Sequence, residues 1–452
     1  MCDDPRVLHA LSVGAWRSAV SVALESPSGL DDAARVDAIR ALEEAACVIS
    51  AAQAALAREL DASQRAAQAE AGVPAARRGL GVAKQVGLAR RVSHDRGARH
   101  LGLARIVASE LPCTWAAWRA GRIGEWKATV IARETACLSL EHRLEVDRLI
   151  AGDPVRVEGM GDRELAGLCA AHAARLDASS VTARRRRAES ERRVTCRPAP
   201  DTMTHVSALL PVKDGVAVHA VLTRAAVRAR AAGDERTQGQ VMADTLVAAV
   251  LAHEQRHQTT QAPAPGEPRA ASSTRVNLNV VMSDAALFGT SEDPAHLVGF
   301  GPIPAELARE IIAGACAQGE ELWLRRLYAH PHTGELASMD TRGRFFRGNL
   351  ARFIRLRDQT CRTPWCDAPI RHVDHAHPDS TGGPTSDANG QGLCEACNHA
   401  KEAPGWRARP GPEGTITTTT PTGHRHTSRP PPVATIRRTD LPPLRVDYIL
   451  AG

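Results

Sequence analysis

The sequence predicts a mainly α-helical protein that carries a small cysteine-rich module towards its C-terminus. Apolar residues recur at helical spacing over most of residues 31–190, and four of the eleven cysteines form two close pairs between residues 361 and 397. The 452 residues exceed what one hydrophobic core usually holds. We therefore expect a large helical N-terminal domain, a small mixed α+β section and the cysteine-rich module.

The N-terminal domain is predicted to span residues 1–257 and to be mostly helical. Between Asp31 and Ser63, apolar residues recur every three or four positions, which is typical of an amphipathic helix. The same spacing predicts helices over residues 82–92, 97–109, 123–136, 139–151 and 161–190. Glycine, proline and aspartate signals such as Gly152-Asp153-Pro154 separate these helices. Met203–Pro211 is predicted to be a strand, and a turn at residues 213–215 leads from it into a helix over 217–231.

Residues 258–345 connect the helical domain to the cysteine-rich module. Residues 258–274 are polar and rich in Pro, Ala and Ser, which predicts a flexible linker or loop. Residues 275–345 are predicted to be a small α+β connecting region. In this region a strand over Arg275–Met282 precedes a helix that follows Pro304, and Leu322–Tyr328 pairs with Leu336–Asp340.

The cysteine-rich module is predicted to span residues 346–410 and to begin with a helix over 346–358. The tail that follows, residues 411–452, contains a threonine run and three consecutive prolines. We expect this tail to be loosely structured, with room for one short hairpin.

Composition and charge narrow the class of protein. The net charge of +6 permits contact with a polyanion without requiring it. A disulfide-rich secreted scaffold is disfavoured, because such chains are short and regularly spaced in cysteine. The N-terminal sequence MCDDPRVLHALSVGAW lacks the features of a signal peptide, and the most apolar stretch, Val241–His253, is too short to span a bilayer. We expect a reducing, cytoplasmic location without membrane attachment.

The four grouped cysteines predict a structural zinc site. Cys361 and Cys366 are separated by four residues, Cys394 and Cys397 by two, and 27 residues lie between the pairs. Four thiolates complete the tetrahedral shell that Zn²⁺ prefers, and such a closed site has a structural role. The alternatives are four unrelated buried cysteines or a disulfide pair, which is disfavoured inside a cell.

The segment between the two cysteine pairs contains residues suited to a second metal ion. Ile370–Asp374 is predicted to be a strand that ends at Asp374-His375, and Leu393–Lys401 is predicted to be a short helix beginning at the second cysteine pair. A divalent ion could lie between the Asp374 carboxylate and a residue of this helix, while the His375 imidazole moves a proton.

The run VDHAHPDSTGGPTSDANGQGLCEACNHAKEAPGW closely resembles HNH endonucleases of the ββα-metal class. It is most similar to the actinobacterial family in which such a nuclease follows a long helical domain of unknown function. The resemblance implies that Asp374 is a metal ligand, that His375 is the general base and that Asn389 bonds across the loop to orient this base. It also implies DNA as the substrate and products with 5′-phosphate and 3′-hydroxyl ends.

The third position of the HNH pattern is Asn398, where the literal pattern has histidine. An amide oxygen is a harder ligand than imidazole, so Asn398 favours Mg²⁺ or Mn²⁺ as the catalytic ion. His399 is the rival ligand, but it should project about 100° further around the helix and miss an ion held by Asp374. We therefore expect Asp374 and Asn398 to hold the catalytic ion.

These observations predict a metal-dependent HNH endonuclease that hydrolyses phosphodiester bonds of DNA with one histidine as base and one divalent metal. The alternative is a catalytically inactive, zinc-finger-like protein that binds nucleic acid. Four arginines near the motif are candidates for phosphate contacts: Arg355, Arg357, Arg371 and Arg407. Lys401 suits either a phosphate contact or the helix dipole. The arginine run 184–187 is interpreted as a solvated helix face.

Overall fold

The computed structural model describes residues 29–260, 278–317, 327–329, 336–339 and 348–432. The chain divides into two compact units. The first unit comprises residues up to Arg90 together with His94–Arg184, and the second comprises Arg91–Ser93 together with residues from Arg185 onward. This division falls inside the region 1–257 that the sequence predicts to be one domain.

The first unit is a helical assembly, as the apolar periodicity predicts. Its helices are α1 (Asp32–Glu70), α2 (Val82–Ala89), α3 (His94–Glu110), α4 (Pro112–Arg119), α5 (Glu125–Glu134), α6 (Leu140–Ala151), α7 (Pro154–Gly159), α8 (Asp162–Leu176) and α9 (Ala178–Ser190), the last of which continues into the second unit. Asp31 caps α1 by accepting a hydrogen bond from the Ala34 N–H. Trp118 is fully buried in the core, and its Nε1 donates to Ser50 Oγ over 2.8 Å.

Two features of the first unit differ from the sequence prediction. The helix expected over 161–190 is two helices, because Asp177 interrupts it and its carboxylate accepts a hydrogen bond from the Ser180 N–H over 2.9 Å. The short helix α4 is not predicted from the sequence and lies between two predicted helices. The fully buried carboxylate of Asp147 accepts hydrogen bonds from the N–H groups of Cys113 and Thr114 in the first turn of α4. Both features depend on side chains that cap a helix, and the spacing of apolar residues gives no information about such caps.

The second unit begins with a β-hairpin and two helices. Strands β1 (Arg193–Pro198) and β2 (Thr204–Leu209) pair antiparallel, and α10 (Val212–Ala231) and α11 (Gln238–Thr260) follow. The strand predicted over 203–211 is confirmed. The turn predicted at 213–215 is wrong, because these residues form the first turn of α10, where Pro211 sets the helix start and Asp214 favours the helix dipole.

Residues 278–339 contain small sheets. Strands β3 (Val280–Val281), β4 (Ala295–Leu297) and β5 (Gly301–Ile303) form one antiparallel sheet, accompanied by α12 (Asp284–Leu287) and α13 (Ala305–Ala317). The helix predicted after Pro304 is therefore confirmed. Strands β6 (Leu327–Ala329) and β7 (Leu336–Met339) pair antiparallel as expected, whereas the turn between them and residues 322–326 lie outside the described residues. Residues 261–274 of the predicted linker also lie outside them, and residues 258–260 belong to α11.

The C-terminal module contains one helix, a two-stranded ribbon, a second helix and a three-stranded sheet. These are α14 (Asn349–Asp358), β8 (His372–His375), β9 (Gly390–Leu393), α15 (Glu395–Lys401), β10 (Arg407–Pro410), β11 (Ile416–Thr419) and β12 (Arg425–Ser428). Strands β8 and β9 pair antiparallel, and so do β10 with β11 and β11 with β12.

Residues 411–432 are more ordered than the expected loose tail, and they contain the one short hairpin for which that expectation left room, formed by β11 and β12. Residues 433–452 lie outside the described residues. The threonine run forms β11, because β-branched side chains suit a paired strand. Ile416, the first residue of β11, has a buried side chain. The Arg362 guanidinium anchors the sheet to the rest of the module by donating to the Gly414 and Ser428 carbonyls over 2.8 and 3.0 Å.

A buried ion network organises the module. The Asp358 carboxylate accepts hydrogen bonds from Arg357 Nε and from the Gly392 N–H, each over 2.7 Å. Arg362 Nη1 lies 3.5 Å from the same carboxylate. The network thereby joins α14 to β9 and, through Arg362, to the C-terminal sheet. Among the described residues, no helix is both long and apolar enough to cross a membrane.

Candidate active site

The four grouped cysteines lie together in the module and are buried. Their Sγ atoms all lie within 4.8 Å of one another. Cys366 Sγ is 3.8 Å from Cys394 Sγ and 3.7 Å from Cys397 Sγ. Tetrahedral Zn²⁺ with Zn–S bonds of about 2.3 Å places its sulfur ligands about 3.8 Å apart. The cluster therefore fits zinc, and these separations are far longer than a disulfide bond of about 2 Å.

Local backbone geometry brings each cysteine pair to the cluster. The Cys361 N–H donates to the Ala368 carbonyl over 2.9 Å, and the Cys366 N–H donates to the Thr363 carbonyl over 3.0 Å, so the first pair closes a tight turn. Cys394 is the N-cap of α15, and its Sγ accepts from the Cys397 N–H over 3.4 Å. The cluster thus ties the first turn of α15 to the loop that follows α14.

The Asp-His pair lies at the end of β8, next to α15. Asp374 and His375 pair across the ribbon with Gln391 and Gly390. Asp374 Oδ1 accepts a hydrogen bond from the His375 N–H over 2.7 Å, and Asp374 Oδ2 lies 2.9 Å from Lys401 Nζ. The strand end and the last turn of α15 are therefore joined by a salt bridge at the carboxylate.

Burial and charge act in opposite directions on this salt bridge. Burial disfavours the charged form of Asp374, but the hydrogen bond and charge of Lys401 outweigh it and hold the pKa of the carboxyl below its usual value. Burial likewise opposes the charge of Lys401, yet hydrogen bonds to Glu402 and Asp374 raise the pKa of its ammonium. The site therefore contains an ionised carboxylate at neutral pH.

The His375 ring is mostly buried, and each of its two nitrogens lies near an oxygen atom of another side chain. Its Nε2 lies 2.9 Å from Thr385 Oγ1, and its Nδ1 lies 3.6 Å from Asp374 Oδ1. The side chain is 17% exposed, which leaves it accessible to a small reactant such as water. Thr385 is a site residue that the sequence reasoning missed, although it stands in the GGPT run of the motif.

Asn389 is buried and holds the loop that separates β8 from β9. Its Oδ1 accepts from the His377 N–H over 2.8 Å, and its Nδ2 donates to the His377 and Pro384 carbonyls over 2.9 and 2.8 Å. The loop is tight at Gly383, where a Cβ atom would lie only 1.9 Å from the His377 carbonyl oxygen. Asn389 therefore braces the segment that carries Thr385.

Asn398 contains a buried acceptor to which no described residue donates a hydrogen bond. Its Oδ1 is shielded from solvent and lacks a hydrogen-bond partner within the described part of the chain. Asn398 stands three residues before Lys401, so the two side chains project from the same side of α15, and Lys401 contacts Asp374. A buried amide oxygen without a donor fits a cation ligand. His399 is exposed, and its ring centroid is 6.3 Å from that of His372 on the first residue of β8.

The basic residues near the motif have different environments. The prediction that Arg357 contacts phosphate is wrong, because its guanidinium is buried and donates to Asp358 and to the Asp387 and Gly390 carbonyls. Arg355, Arg371 and Arg407 are exposed, so their phosphate contacts stay predictions. In the 184–187 run, Arg185 pairs with Glu189 and Arg187 with Glu191, as expected for a solvated helix face.

Comparisons with known proteins agree with this architecture. The family described as "Domain of unknown function (DUF222)" matches residues 36–358, and the family described as "HNH endonuclease" matches residues 359–403. The uncharacterized protein Rv3776 of Mycobacterium tuberculosis is 32% identical over 176 residues, which cover 33% of this chain and 32% of that protein. The uncharacterized protein Rv2100 of the same species is 35% identical over 142 residues, covering 30% of this chain and 24% of that protein.

The chain thus spans a quarter to a third of the length of these curated relatives. No solved structure matches it. The DUF222 match covers more than two thirds of the chain and ends three residues before Cys361. The resemblance seen in the sequence is confirmed: this chain belongs to the DUF222 family and carries an HNH endonuclease domain at residues 359–403.

Proposed function

We propose that this chain is an endonuclease that hydrolyses phosphodiester bonds of DNA with one divalent metal ion and with His375 as general base. The observation that supports it most is an ionised Asp374 and a part-exposed His375 at the end of β8, together with Asn398 on α15, to whose buried Oδ1 none of the described residues donates. A carboxylate and an amide oxygen are suitable ligands for a hard divalent ion, and an imidazole can accept the proton of an attacking water.

His375 is proposed to accept a proton from the attacking water. An imidazole can accept a proton in general base catalysis and therefore suits this role. Thr385 Oγ1, 2.9 Å from Nε2, and the Asp374 carboxylate restrict rotation of the ring. Asn389 is proposed to act as a positioning residue, because its three hydrogen bonds hold the loop that carries Thr385.

Asp374 and Asn398 are proposed to hold the catalytic ion, and their oxygen atoms suit Mg²⁺ or Mn²⁺. When bound, such an ion stabilises the charge that develops on the phosphate and on the leaving oxygen. The cysteines are proposed to hold structural Zn²⁺, which stabilises the module without taking part in the reaction. Thiolate ligands remain available in a reducing compartment, so we propose a cytoplasmic location.

One observation favours the alternative of an inactive nucleic-acid-binding module. The Lys401 ammonium already neutralises Asp374, at 2.9 Å, and would compete with a metal ion for this carboxylate. The two functions differ in a direct test on supercoiled plasmid DNA. An endonuclease nicks or linearises the plasmid with Mg²⁺ or Mn²⁺ and leaves it intact without them. Retardation of the plasmid without any cleavage in either metal would support the binding module.

A further inference from the structure

The C-terminal sheet presents one polar face that the proposed active site does not use. In the strand register Arg407 is opposite Thr419, which is opposite Arg425, and Arg409 is opposite Thr417, which is opposite Thr427. Side chains alternate between the two faces of a strand, so these six residues share one face of the sheet. We call this surface the arginine face. Ile416 lies on the opposite face and is buried.

The arginine face carries three exposed positive charges that the described part of the chain leaves uncompensated. Arg407, Arg409 and Arg425 are exposed, and their guanidiniums form no ion pair or hydrogen bond with any described residue. The other three residues of the face are threonines, so it contains no carboxylate. Arg429, just beyond β12, is different, because it pairs with Glu413 over 3.1 Å.

The spacing of these arginines suits a polyanion. Residues two apart on a strand are about 7 Å apart, and residues two strands apart are about 10 Å apart. Like charges at these distances repel one another, so a ligand that gains most from the face is one with several negative charges in a row. Threonine hydroxyl groups between the arginines can donate further hydrogen bonds to phosphate oxygens.

The arginine face lies close to the proposed active site within the same module. Arg407 follows Lys401 by six residues, and six extended residues span at most about 20 Å. Lys401 itself contacts Asp374. The Arg362 hydrogen bonds to Gly414 and Ser428 keep the sheet attached to the loop that carries Cys361. A distance of about 20 Å corresponds to about six base pairs of duplex DNA.

We propose that the arginine face binds the phosphate backbone of duplex DNA beside the bond that is cut. This inference rests on the proposed function, in that the polyanion is the substrate of the nuclease. Arginine and threonine contacts to phosphates supply affinity and orientation but do not read base sequence. The face therefore increases affinity for duplexes of any sequence and holds the strand in position at the active site.

The test measures salt-dependent binding of the full chain to a fluorescent 30-base-pair duplex, without added Mg²⁺ or Mn²⁺ and in a His375→Ala background. The triple variant Arg407→Gln, Arg409→Gln, Arg425→Gln removes three phosphate contacts. The slope of log affinity against log salt concentration should become shallower by about 2.7, since each neutralised phosphate contributes about 0.9. The matched control is Arg429→Gln, just beyond β12. Arg429 is already paired with Glu413, so its substitution should leave the slope unchanged.

Zinc content and circular dichroism establish that the triple variant is folded. If it is not, the three single variants provide the same test, each with an expected slope change of about 0.9. The proposal would be overturned if the triple variant had the same slope as the His375→Ala protein without the arginine substitutions. It would also be overturned if that His375→Ala protein did not bind the duplex. The proposed function is tested separately by plasmid cleavage. Cleavage with an unchanged slope refutes only the arginine face, and a changed slope without cleavage refutes only the nuclease.

Discussion

The buried Asp358 carboxylate should be essential to the stability of the C-terminal module. Its side chain is fully buried and is the counter-ion of two nearly buried guanidiniums, those of Arg357 and Arg362. The substitution Asp358→Asn preserves the shape of the side chain but removes its charge. One carboxylate oxygen becomes an amide nitrogen, which cannot accept a hydrogen bond from either Arg357 or the Gly392 N–H.

Breaking a buried ion pair by neutralising one partner costs about 3–5 kcal/mol. The lower end applies here, because Arg357 and Arg362 each keep two backbone carbonyl acceptors. With an m-value of about 2 kcal/mol/M, a loss of about 3 kcal/mol lowers the urea midpoint by about 1.5 M. The measurement is a urea titration of the zinc-loaded protein, in which a chromophoric chelator detects zinc release from the module.

The matched control is Asp379→Asn, at an exposed aspartate in the loop between β8 and β9. A surface change of this kind alters the free energy of unfolding by less than about 0.5 kcal/mol, so its midpoint should stay near that of the wild type. If the midpoint of Asp358→Asn also stayed there, the account of a buried counter-ion would be refuted.

Three further predictions concern the metal sites and a helix cap. Cys394→Ser should abolish zinc binding measured by mass spectrometry, whereas Cys196→Ser, at an exposed cysteine, should retain one zinc per chain; retained zinc in the first variant would exclude the four-thiolate site. Asn398→Ala should weaken Mn²⁺ binding measured by electron paramagnetic resonance, whereas His399→Ala should not, and the reverse result would make His399 the ligand. Hydrogen bonds from Ser180 and Ser179 lower the pKa of Asp177 to about 2. Since the folded-state pKa is depressed, the stability that Asp177 contributes is complete above its unfolded pKa of about 3.9 and is lost as the pH falls towards 2. The difference between the thermal midpoints of the wild type and Asp177→Ala should therefore shrink over this range, and a constant difference would contradict the assignment.

The module could be predicted from the sequence because its signals are local. Four cysteines at short spacing predict the cysteine cluster, and Asp374 and His375 are adjacent in the chain. The chemistry of such motifs can be predicted from the sequence without knowing how distant parts of the chain pack. The offset from Cys397 also makes Asn398 the predicted third position, which stays a prediction; the structure adds that none of the described residues donates to its buried Oδ1.

The remaining features depend on packing and on strand pairing. Arg357 stands in a helix rich in arginine, which is typical of a solvated face, and only packing against residues 387–392 buries it. In β11, whose threonines favour an extended strand, Thr417 lies opposite Arg409 on one neighbouring strand and opposite Thr427 on the other. Such pairings follow from tertiary context, and strand propensity alone does not determine them.

The most direct test of the central proposal is the single-turnover rate of duplex cleavage with and without the His375 imidazole. Wild type and His375→Ala are compared at saturating protein in Mg²⁺ or Mn²⁺, with His377→Ala as the control at a nearby histidine. General base catalysis contributes about 10²–10⁴ to a rate, so His375→Ala should cleave slower by at least about 10² while its affinity for DNA and its zinc content are unchanged. Equal cleavage rates for wild type and His375→Ala would contradict the proposal.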